Sequence, residues 1–141
     1  MPAYLLDTNL VSELVRARPE QRVLDWVAHQ TATDLYLSAI TVGELTRGIA
    51  KLPAGRRRST LRHWLDVDLR REFEGRILAF DQNTARIWGD LMGEADRRSW
   101  PRAAIDAQIA ATALQHDLTL VTRNTPDFAG LGVHLVNPWE A

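Results

Sequence analysis

The sequence contains no cysteine, which excludes a disulfide framework and any thiolate metal site and suits a reducing compartment such as the cytoplasm. No window is apolar for long enough to span a bilayer, and the first residues lack a basic stretch leading into a long apolar one. Neither membrane insertion nor secretion is expected. Lysine is nearly missing: Lys51 is the only one among seventeen basic residues, and the others are arginine. Net charge is nearly missing too, at -1 with a pI near 6.4, so nothing draws the whole chain toward nucleic acid. His29, His63, His116 and His134 are scattered, and the paired spacings that zinc needs are absent. There is no internal repeat and no low-complexity tract.

What remains is 141 residues with 45% hydrophobic content, enough for one core and too short for two ordinary domains, so a single domain over residues 1–141 is expected. Tyr4, Leu5 and Leu6 read as a buried strand, and Leu10, Val11, Leu14 and Val15 follow at helical spacing. A second helix carries Val23, Trp26 and Val27, and residues 35–38 form strand two. Thr41 and Glu44 have capping-box spacing, which predicts a helix from there to about Leu52. The pattern then gives a helix over 56–74, strand three over 77–80 and helices over 82–98 and 101–117. Strand four follows over 118–122, then a helical turn near 125–128 and strand five over 134–136. Short apolar strands alternating with helices point to an α/β fold with a mainly parallel five-stranded sheet covered on both faces.

In such a sheet, ligands bind beyond the carboxyl ends of the strands. Asp7 follows strand one, and Asn124 and Asp127 follow strand four. Glu44 lies early in the helix leaving strand two. The helix over 101–117 feeds strand four, so it begins near the same edge and carries Asp106 there. That argument requires the preceding helix, 82–98, to cross the sheet obliquely rather than return to the amino edge. On a helical wheel Asp106 falls within an apolar arc of Ala103, Ile109, Ala110, Ala113 and Leu114, where a lone carboxylate is costly. Gathered acids repel one another unless a cation neutralises them, and carboxylates with Asn and Thr oxygens suit Mg²⁺ or Mn²⁺. Each acid also has an ordinary role open to it: Asp7 as N-cap, Glu44 in the capping box, Asp127 in a first helical turn, Asp106 paired with Arg102.

Taken in order, four segments resemble the successive motifs of PIN-domain ribonucleases, and within them the VapC toxins of bacterial toxin–antitoxin pairs, including the FitB-like branch. They are Leu6-Asp-Thr-Asn-Leu10 with Ser12-Glu13, Ser38-Ala-Ile-Thr-Val-Gly-Glu44, Ile105-Asp-Ala-Gln-Ile-Ala-Ala-Thr-Ala113 and Val121-Thr-Arg-Asn-Thr-Pro-Asp-Phe128. The resemblance runs through the closing Asn137-Pro-Trp139. It implies a PIN-like three-layer α/β/α sandwich and Mg²⁺-dependent RNA cleavage, with Mn²⁺ as substitute. Asp7, Glu44 and Asp106 would be the three core acids. The fourth place is shared between Asp127 and Asn124, with Asp127 favoured. Thr8, Asn9, Ser38 and Thr122 would support or orient them. A cognate VapB-type antitoxin, a homodimer and a larger assembly with antitoxin are implied as well.

The expected chemistry is phosphodiester hydrolysis by a metal-activated water, leaving a 5′-phosphate and a 3′-hydroxyl. Single-stranded or loop RNA fits an open acidic site, with transfer and ribosomal RNA among the substrates open to it. Two arginine clusters, Arg56, Arg57, Arg58 and Arg62, and Arg97, Arg98 and Arg102, are placed to hold flanking phosphates. Two other functions remain: an aspartyl-phosphate hydrolase or receiver, and a non-catalytic module that binds antitoxin or RNA. The former needs an acid two residues after the nucleophile or a lysine after a late strand, where Asn9 and Arg123 stand.

Overall fold

The computed structural model describes residues 2–140. Five short strands form one parallel sheet in the order β3-β2-β1-β4-β5: β1 (Tyr4–Leu6), β2 (Leu35–Ser38), β3 (Ile77–Leu78), β4 (Thr119–Val121) and β5 (Leu135–Val136). The chain winds outward from β1 to β3 on one side, then crosses to β4 and β5 on the other. The order therefore reverses between β1 and β4, which makes that crevice the topological switch point of the sheet. Register there is set by Tyr4 opposite Thr119, Leu5 opposite Leu120 and Leu6 opposite Val121.

Alternation along the strands divides the apolar residues between two faces. Leu6, Leu35, Leu37 and Val121 pack with residues of α1 (Thr8–Leu14), α2 (Gln21–Ala28) and α3 (Ala39–Ala50). The same layer takes Leu65, Leu69 and Phe73 from the segment formed by α4 (Arg56–His63), a π-helical stretch (Trp64–Leu69) and α5 (Arg70–Glu72). Leu5, Leu120 and Tyr36 face the other way, toward α6 (Gln82–Arg97), α7 (Ala104–Gln115) and α8 (Thr125–Phe128). The three layers expected from the sequence are present, and all five strands run parallel rather than most of them.

Two expectations need correction. The helix after β2 begins at Ala39, with no linker, because Ser38 ends the strand and caps the helix by accepting from the Ile40 N–H at 3.0 Å. Thr41 is then fully buried in the first turn, and Glu44 is released from the capping role assigned to it. The second correction concerns α6, which begins beside the end of α7: Gln115 bonds Thr84 at 2.5 Å and Asp81 at 3.3 Å, while the Trp88 indole donates to the Ala104 carbonyl at the start of α7. The two helices are antiparallel partners, and α7 begins near the carboxyl edge as Asp106 requires.

Glu13, on α1, is 4% exposed yet charged. It accepts from the Glu20 N–H, from the Trp139 indole and from Arg16, so one carboxylate ties α1 to the start of α2 and to the 3-10 turn Pro138–Glu140. Burial raises its pKa, but these donors outweigh burial and hold it below the usual value of 4.5. A depressed carboxylate stabilises the fold above its unfolded pKa and loses that contribution as pH falls through the folded value. Glu13→Ala is therefore expected to lower unfolding free energy by about 2–4 kcal/mol at pH 7 in urea titrations. The gap between variant and parent should narrow below about pH 4; a constant gap would show that packing, not charge, carries the effect.

Candidate active site

Asp7 directly follows β1 and Thr122 directly follows β4, so the switch-point crevice brings them together. Asp7 is 6% exposed. Its carboxylate accepts from the Thr122 hydroxyl at 2.7 Å, from the Thr8 N–H at 2.8 Å and from the Asn9 side-chain amide at 3.3 Å. The Thr122 hydroxyl in turn accepts from the Asn9 amide and from the Asn124 N–H. Asp7 is also the N-cap of α1, so its ordinary role and its place in the site coexist. Burial raises its pKa above 3.8; the bonds from Thr122 and Thr8 oppose this, and the charges of Glu44 and Asp127 add to it.

Thr8 joins the other half of the site. Its hydroxyl donates to Glu44 Oε1 at 2.6 Å and lies 3.1 Å from the buried Thr41 hydroxyl. Glu44, in the second turn of α3, thus faces α1 across the crevice. Asp106, in the first turn of α7, makes no hydrogen bond or ion pair among the described residues, and it does not pair with Arg102. The Arg102 guanidinium donates instead to the carbonyls of Asp127 and Ala129, holding α8 beside α7. Asp106 has a pKa raised to about 6 by burial and then by the charges of Asp127, Asp7 and Glu44, with Arg102 opposing. The four acids therefore lie within electrostatic reach of one another. Among the described residues, though, no three acidic or histidine side chains are gathered tightly enough to enclose one ion.

The supporting residues divide. Thr8, Asn9 and Thr122 contact the acids directly, whereas the Ser38 hydroxyl is spent on capping α3 and does not reach them. Asn124 contributes its backbone N–H to Thr122, and its side chain is exposed, as is that of Asp127. Thr41 and Arg102 were assigned other parts in the sequence; only the packing of α1 on α3 and of α8 on α7 reveals what they touch. The arginine clusters also divide. Arg57 borders a cavity of about 260 Å³ that reaches Thr8, Ser12 and Glu44, while Arg58 and Arg62 line a separate hollow with His63. Arg97 and Arg98 both pair with Glu94.

Because the folded pKa of Asp106 exceeds its unfolded value, the ionised form costs stability. The cost is absent below about pH 4, grows up to about pH 6 and is full above it. In chelator, Asp106→Asn is expected to melt about 2–6 °C above the parent at pH 7.5 and at the same temperature near pH 4. Equal melting temperatures at pH 7.5 would mean that neither burial nor the neighbouring acids disfavour the ionised carboxylate.

The family model for the PIN domain matches residues 4–131. The chain is 42% identical over 136 residues to VapC ribonuclease Y4jK of Sinorhizobium fredii, covering 96% of this chain and 97% of that one. It is 43% identical to Toxin FitB of Neisseria gonorrhoeae, covering 96% and 98%. Its fold superposes on the crystal structure of FitAcB from Neisseria gonorrhoeae with a TM-score of 0.92 at 42% identity, over 98% of this chain and 99% of that one. With acids after parallel strands at the switch point and these relatives along nearly its whole length, the chain belongs to the PIN domain family.

Proposed function

We propose that this PIN-domain chain is a divalent-metal-dependent endoribonuclease acting in the cytoplasm as the toxin of a toxin–antitoxin pair, held inactive by a VapB-type antitoxin. The observation that carries the catalytic part is the gathering of Asp7, Glu44, Asp106 and Asp127 at one crevice, with Asp106 half-buried and lacking any donor among the described residues. The ribonuclease and toxin named among the relatives above support the same reading.

The donor set fits a hard cation. It is all oxygen, it carries excess negative charge, and at Asp106 it is unsatisfied. Asp7, Glu44, Asp106 and Asp127 would hold a Mg²⁺ or Mn²⁺ ion, with Asn124 assisting. The ion's contribution when bound is to acidify a water and to offset charge developing on the phosphate oxygens. The rest is done by the chain. Thr122, Thr8 and Asn9 fix both oxygens of Asp7, so its orientation is set before substrate arrives. Thr8 fixes one oxygen of Glu44 and leaves the other to the crevice. Asp106, whose pKa is raised to about 6 first by burial, must lose its proton for the crevice to take a cation.

An aspartyl-phosphate enzyme fits less well. Asn9 is committed to Asp7 and Thr122, and the Arg123 guanidinium lies over the Trp139 ring at 5.7 Å.

Antitoxin-free protein is expected to cut total RNA with Mg²⁺ or Mn²⁺ and not with EDTA, and an Asp7→Ala variant purified identically should be inactive. Equal cleavage by both proteins would contradict the site, and RNA binding without cleavage would favour the non-catalytic module. Mn²⁺ should raise the melting temperature at pH 7.5 and much less at pH 5, because the carboxylates must be ionised to bind it. An equal rise at both values would contradict the role given to Asp106.

A further inference from the structure

The acidic crevice leaves a difficulty for a polyanionic substrate, since four carboxylates repel the backbone on either side of the bond to be cut. A cavity of about 490 Å³ next to the crevice offers the opposite charge. Arg16, Arg18, Arg22 and Arg123 line it, from the α1 to α2 connection, the first turn of α2 and the residue after Thr122. Three glutamates also reach it: Glu13 is paired with Arg16 and Glu20 with Arg22, and Glu140 at the rim leaves the four arginines one positive charge in excess. Arg18 and Arg123 hold no ion pair among the described residues.

The cavity is built rather than incidental. Its floor is the buried Trp139, whose indole donates to buried Glu13, and Arg123 stacks on that ring. The backbone couples it to the crevice: the Arg123 N–H donates to Asn9 Oδ1 at 3.4 Å, and the Asn9 amide donates to Asp7. Guanidinium groups aimed into one hollow match phosphate oxygens in both charge and fork geometry.

We propose that this cavity is a subsite for a backbone phosphate of the RNA strand flanking the cleaved bond, with Arg18 and Arg123 as its principal contacts. The inference rests on the ribonuclease reading and adds where the substrate's charge is received. A phosphate contact weakens binding without regard to base sequence and releases condensed counterions. Its loss therefore flattens the dependence of affinity on salt, by about 0.7 in the log–log slope per contact on a single strand.

The test uses antitoxin-free protein carrying Asp7→Asn, so that RNA is not cut, and a fluorescein-labelled single-stranded oligoribonucleotide of mixed sequence, titrated across a series of NaCl concentrations. Arg18→Ala and Arg123→Ala are each expected to weaken binding about tenfold at low salt and to flatten the slope by about 0.7. Arg71→Ala, an exposed arginine on α5 outside both site and cavity, should do neither. In protein with Asp7 intact, Arg18→Ala should raise KM and leave kcat in place; since Arg18 is exposed and unpaired, this variant guards against misfolding of Arg123→Ala. Unchanged affinity and slope in both variants would overturn the subsite while leaving the nuclease standing. Weakened antitoxin binding with unchanged RNA binding would assign the cavity to a protein segment and overturn it too. If the unaltered protein neither cuts nor binds RNA, the ribonuclease reading fails together with this one.

Discussion

Burying the Asp7 carboxylate at the point where the strand order reverses is the constraint from which the rest of the site follows. A charge that is 6% exposed persists only if donors surround it. The fold supplies them from three directions: the first N–H of α1, the hydroxyl after the neighbouring strand and the amide of Asn9. The Thr122 donor depends on β1 pairing with β4 in the observed register, because a shift of one residue would turn Thr122 to the other face of the sheet. The same alternation that separates Leu5 from Leu6 into two apolar layers therefore aims the site.

From Asp7 the site spreads through hydroxyls on one side and through charge on the other. Thr8 links α1 to Glu44 on α3, and Thr41 packs behind it. Across the crevice nothing compensates Asp106 except the distant Arg102, whose own bonds go to the backbone of α8. The result is a crevice well ordered at Asp7 and under electrostatic stress at Asp106, the combination expected of a cation site before its ion arrives. Positive charge lies outside the crevice, on Arg57 at one cavity and on Arg18 and Arg123 at another. A polyanion can thus be held by its flanks while its middle meets the acids.

The sequence disclosed most of what strands position and least of what loops assemble. Asp7 and Thr122 were legible because a residue that ends a parallel strand has little freedom of placement. Asp106 was legible because a carboxylate in an apolar arc of α7 demands an explanation. The capping box at Thr41 and Glu44 misled because the spacing was right and the helix start was not: Ser38 caps directly from the strand, which no local pattern distinguishes. The direction of α6 depended on side chains of Gln115 and Trp88 that meet across two helices. The arginine cavity went unseen because its residues come from the α1 to α2 connection, from the first turn of α2 and from beyond β4 and β5, and only the folded sheet edge unites them. Of the arginine clusters that the sequence did display, two members of the second share the carboxylate of Glu94.

Whether these acids form one divalent-cation site is decided by diffraction from crystals of the antitoxin-free protein soaked in Mn²⁺, recorded where manganese scatters anomalously. An anomalous peak is expected within bonding distance of both Asp7 and Asp106, absent from crystals of an Asp106→Asn variant treated alike. Full soaking with no peak between those two carboxylates, or a peak undiminished in the variant, would contradict a shared site.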